Sequence, residues 1–61
     1  MYYKKWAEMY RQASKANRAA SKAHWIKTHR ENIQSGREDL IMFSASILAE
    51  IALIESEEEE A

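Results

Sequence analysis

An all-α fold is predicted by three features of the sequence: it has no proline, only one glycine, and apolar residues that recur in steps of three and four. Proline and glycine are the strongest local breakers of regular structure, so a chain interrupted only at Gly36 has helix as its default. Of the 61 residues, 46% are hydrophobic and 31% charged, a balance that folds rather than staying disordered. A chain this short buries too little surface to be comfortable alone, and without cysteine neither a disulfide nor a thiolate zinc site can staple it. Self-association is the remedy that remains.

The first element is a long amphipathic helix expected over 3–33. Tyr2, Trp6, Met9, Ala13, Ala16, Ala20 and Ala23 fall along one stripe and read as its inner face. Arg11, Lys15, Arg18 and Lys22, continued by Trp25 and His29, fall roughly opposite and read as the outer face. Alanines along the middle of the inner stripe let a neighbouring backbone approach closely, which predicts a tightly packed helix pair. Past Ala23 the pattern drifts, with Trp25, Ile26 and Ile33 nearer the basic side, so the helix either bends there or meets a second neighbour.

A turn is expected over 34–37. Gly36 suits the left-handed position that ends a helix, and Ser35 followed three residues later by Glu38 has the pattern of a capping box. One glycine costs a helix only about 1 kcal/mol, so a helix continuous through Gly36 is the alternative.

The second helix, expected over 38–56, is apolar on nearly every side. One side carries Leu40, Phe43, Ile47, Ile51 and Ile54 and another Ile41, Ala45, Leu48 and Ala52, which one partner helix cannot both cover; Leu40, Phe43, Ile47, Leu48, Ile51 and Ile54 are the candidate self-association residues. Two copies of a helical hairpin packing these segments together make a homodimeric four-helix bundle. At about 1.5 Å per residue the first helix outreaches the second by about 15 Å. That overhang carries Tyr2, Tyr3, Trp6 and Tyr10, an aromatic cluster that is the candidate site for a different protein. The acidic tail over 57–61 is expected to fray, because adjacent glutamates repel and oppose the dipole at a helix C-terminus.

Charge divides the chain into two poles. Residues 1–37 hold all nine bases against Glu8 and Glu31, a balance of +7, and from Glu38 onward there are eight acids and no base. A chain that doubles back neutralises one pole with the other.

The function classes narrow accordingly. Ser14, Ser21, Thr28 and Ser35 recur every seven residues with no base placed against them, so no catalytic residues and no enzyme activity are assigned. His24 and His29 stand five apart, well over 100° from one another at about 100° per residue, unlike a helical zinc pair, and no metal or other cofactor is implied. The 15-residue run from Leu40 to Ile54 is shorter than the roughly twenty residues of a span and contains Glu50, which excludes a transmembrane helix and leaves an interfacial, membrane-active peptide as a secondary alternative. Met1 to Tyr10 mixes aromatics with charges rather than forming the apolar core of an export signal, so a cytoplasmic location is expected. The basic stripe of Arg11, Lys15, Arg18, Lys22 and Arg30 is the candidate nucleic-acid-binding surface, the first alternative to a protein-interaction role.

In its size, its lack of cysteine and proline, its aromatic and basic start Met1-Tyr2-Tyr3-Lys4-Lys5-Trp6 and its helical pairing about Ser35-Gly36, the chain resembles the small helical accessory proteins of temperate bacteriophages, notably those of lambda-type early regions. The resemblance implies a small oligomeric regulator or inhibitor that binds host or phage proteins. It carries no functional residue across.

Overall fold

The structure, a computed structural model, describes the backbone of residues 2–60 and the side chains of residues 4–59. Among the described residues the fold is all-α, with three helices: α1 (Tyr2–Gln12), α2 (Lys15–Ser35) and α3 (Glu38–Glu60).

The long helix expected over 3–33 is therefore broken at Ala13 and Ser14. Ser14 leaves the helical region (φ −65°, ψ 161°), and its hydroxyl accepts a hydrogen bond from the Asn17 backbone N–H at 3.2 Å, an N-cap for α2. At the end of α1 the Tyr10 carbonyl accepts from the Ala13 N–H at 3.1 Å and from Arg18 Nε at 2.9 Å, and Arg18 Nη2 donates to the Arg11 carbonyl. The break costs a turn of helix. It gains the burial of Ala7 and Tyr10 against Ile47, Ile51 and Ile54, because α1 folds back over α3 instead of projecting past it. The expected overhang is absent for the same reason.

The second break lies where the sequence put it. Gly36 is left-handed (φ 72°, ψ 19°), and its N–H reaches the carbonyls of Asn32 at 3.0 Å and Ile33 at 3.2 Å. The capping box does not form: the Ser35 hydroxyl turns back to donate to the Asn32 carbonyl at 2.9 Å, and α3 begins with the Ile41 N–H donating to the Arg37 carbonyl. Glu38 and Asp39 stand in the first turn of α3, where the helix dipole favours acids.

From that turn α3 runs back along α2, so that Asn32 meets Leu40, His29 meets Ser44 and Lys22 meets Glu55 in descending and ascending order. The inner face of α2 is the reverse of the expectation. Ala16, Ala20 and Ala23 are exposed, while Arg18, Ser21, Trp25, His29 and Asn32 line α3. Once Ser14 resets the helix, the alanine stripe of α2 no longer continues the aromatic stripe of α1, and Trp25 takes the buried side.

The acidic end is ordered into α3 as far as Glu60 rather than frayed. Glu55, Glu57 and Glu58 each meet a base of the other two helices, which offsets their mutual repulsion.

Candidate functional site

Three features of the packed helices bear on function: an aromatic seam, a polar node at Ser44, and one face of the α2/α3 pair that α1 leaves open.

The seam joins all three helices. Trp6 stacks on Tyr10 with ring centroids 5.3 Å apart and meets Trp25 edge-on at 6.4 Å; Trp25 in turn meets Phe43 at 5.7 Å. Of the four residues expected to await a partner, Tyr10 is buried and Trp6 half-buried within the chain, because the fold-back of α1 turns them inward. Tyr2 and Tyr3 lie outside the described side chains.

The basic stripe is not one continuous surface either. Arg11 pairs with Glu57 at 3.0 Å, Arg18 pairs with Glu58 and lies 5.4 Å from the centroid of the Tyr10 ring, and Lys22 Nζ sits 3.1 Å from Oε1 of Glu55. The hydrogen bond to Glu58 holds the Arg18 guanidinium still more firmly in its charged form. Oε1 of Glu55 is enclosed yet receives no hydrogen bond, since Lys22 donates instead to Oε2 at 3.3 Å. Lys15 and Arg30 are exposed, so of the five candidate nucleic-acid contacts three are engaged by glutamates of α3.

Ser44, fully buried, is a site that sequence reasoning missed. Its hydroxyl donates to the Leu40 carbonyl at 2.9 Å, with the Ile41 carbonyl at 3.2 Å sharing the same proton. Ser44 Oγ also accepts from Asn32 Nδ2 at 3.2 Å and shares a hydrogen bond of 2.6 Å with His29 Nδ1. These bonds tie Ser44 of α3 to His29 and Asn32 of α2, a polar clasp between the two helices. The signal was slight: Ser44 is a lone hydroxyl on a greasy helix, and His29 and Asn32 read as outer-face residues. Among the described residues no three His, Cys, Asp or Glu side chains group as ligands for a cation.

The third feature is apolar. Ile47, Ile51 and Ile54 are 1%, 1% and 0% exposed, so three of the six candidate self-association residues are already covered inside one chain by α1 and α2. Phe43 and Leu48 are half-buried against the same core, and Leu40 is exposed. In exchange, Met42 (70% exposed), Ile33 (55%), Leu53 (52%) and Ile26 (43%) stand in the solvent. On the flank away from α1, a shallow groove of about 290 Å³ runs between the helices, bordered by Lys22, Leu48, Ala52 and Glu55.

No protein-family model matches the sequence, and neither a curated protein nor a solved structure matches it.

Proposed function

We propose that this chain is a small self-associating protein-interaction module, a regulator or inhibitor that works by laying its helices against other proteins, the role that its likeness to phage accessory proteins implies. One observation carries the reading. Met9, Ile26, Ile33, Leu40, Met42 and Leu53 are each more than a third exposed in a 61-residue chain, a large share of its apolar side chains left in water. The absence of cysteine agrees with work in the cytoplasm.

Sedimentation velocity across the micromolar range tests it. A species of twice the chain mass or more, growing with concentration, is the expected result, and a folded monomer at every concentration overturns the reading. The nucleic-acid alternative has less support, since Arg11, Arg18 and Lys22 are already paired with glutamates. A gel shift with duplex and single-stranded DNA that weakens steeply with salt would restore it. No helix among the described residues is long and apolar enough to cross a membrane.

A further inference from the structure

We infer that a second copy docks on the flank of α2 and α3 opposite α1, and that it does so with α2 of one chain against α3 of the other, about a two-fold axis parallel to the helices. The inference rests on the self-association proposed above and specifies which surface and which pairing it uses.

The face follows from the positions of α1 and of the ion pairs. α1 meets the flank that bears Ser21 of α2 and Phe43 and Glu57 of α3, through Trp6, Tyr10 and Arg11. At about 100° per residue, Lys15, Ala19, Lys22, Ile26 and Ile33 lie on the other flank of α2. Ile41, Ala45, Leu48, Ala52 and Ser56 lie on the matching flank of α3. The Lys22–Glu55 pair and the groove beside it require that these two flanks look the same way. The result is a two-helix layer with one covered side and one open side. Its open side is apolar toward the Gly36 turn and lined by small residues and opposed charges toward the other end.

Area permits a stable pair. Helices of 21 and 23 residues lying side by side present a face on the order of 600 Å² per copy, or on the order of 1,200 Å² in all, at the lower end of specific interfaces.

Charge then selects between the two ways of stacking such layers face to face. An axis lying in the interface and perpendicular to the helices sets α2 on α2 and α3 on α3. That axis also reverses one layer end for end, so the charged end of each face, with Lys15, Lys22, Glu55 and Glu59, lies on the apolar end of the other, with Ile26, Ile33, Ile41 and Leu48, and neither the charges nor the apolar side chains meet their complement. An axis parallel to the helices sets each α2 on the other chain's α3, antiparallel, in the same order that the single chain already uses. Lys15 then comes opposite Glu59 of the second copy, Ile26 opposite Leu48 and Ile33 opposite Ile41, with the Gly36 turns at one end. The +7 and −8 poles are thus arranged to attract between chains as they do within one.

The lack of cysteine allows a direct test. Ala19→Cys and Ser56→Cys, both at exposed small residues on the open flank, are mixed in equal amounts as full-length chains, oxidised and resolved by mass, alongside Ile26→Cys alone and sedimentation of the parent. Circular dichroism verifies that each variant keeps its helix content. A dimeric parent with the mixed cross-link, joining position 19 of one chain to position 56 of the other, at least several-fold above either self-cross-link supports the inference. A dimeric parent in which Ile26→Cys links to itself, or in which the mixed link is no more abundant than the self-links, overturns this pairing and leaves self-association standing. A parent that stays monomeric overturns both.

Discussion

Truncating Ile51 is the most direct test of where the core lies. Its side chain is 1% exposed, packed with Ile47, Ile54, Ala7 and Tyr10, so Ile51→Ala removes three carbons from a closed site. At about 0.8 kcal/mol per buried carbon, with a cavity left behind, the loss is about 3 kcal/mol. A core in a chain of this size supplies about 3–5 kcal/mol in all, so the variant is left close to the point of unfolding. With a urea dependence of about 1 kcal/mol per molar, its midpoint falls by about 3 M. Leu53, two residues on, is 52% exposed; Leu53→Ala deletes contacts that are half made, at about 1 kcal/mol and about 1 M. Both are read by far-ultraviolet circular dichroism through urea titrations at low micromolar concentration. Equal shifts for the two variants would refute the argument that a single chain shelters its isoleucine row while leaving Leu53 wet.

Four further outcomes are expected. Gly36→Ala lowers stability by about 1 kcal/mol in the same titrations through its left-handed backbone alone, because an added Cβ meets nothing within 4 Å. Ser44→Ala removes the hydroxyl that Asn32 and His29 share and costs about 1 kcal/mol, with the His29 ring signals in the NMR spectrum moving toward those of a mobile imidazole. Burial first, and the Glu55 carboxylate second, push the Tyr10 phenol above its ordinary value of 10.0, so the folded chain holds that proton more tightly than the unfolded one. The associated stability is whole below about pH 10 and drains away above it, and Tyr10→Phe is expected to lose less between about pH 9 and about pH 11 than the parent does. Arg18→Ala releases α1 from α2 and α3 together, read as a red shift and greater quenching of Trp6 fluorescence in a Trp25→Phe background.

The fold class and the Gly36 turn were legible because composition and a lone glycine speak locally. The break at Ser14 was not. Ser14-Lys15-Ala16-Asn17 lacks the acid or glutamine three residues on that completes a capping box, and Ser14 sits in a series with Ser21, Thr28 and Ser35 that reads as continuous helix. What decides the break is distant: the gain from setting Tyr10 and Ala7 on the isoleucines of α3. From that one miss the others follow, namely the reversed face of α2, the inward turn of Trp6 and Tyr10, and the capture of Arg18 by carbonyls rather than by phosphates. The greasiness of residues 40–54 was read correctly, but only distance information divides it into the covered Ile47, Ile51 and Ile54 and the bare Met42 and Leu53. The acidic end was judged by its own repulsion, and the bases that hold it lie some forty residues away in sequence, with Arg18 and Glu58 separated by 40.

The clasp at Ser44 has a consequence for alignment. An aliphatic row spaced four and three apart looks much the same after sliding by one helical turn, about 5.4 Å, so Ile47, Ile51 and Ile54 by themselves do little to choose among neighbouring settings of α3 along α2. The hydroxyl is not repeated that way. Slid by a turn, Ser44 would lose His29 and Asn32 at one extremity while Arg18 lost Glu58 at the other. Grease supplies the adhesion, and two polar pins, one near each end, supply the address.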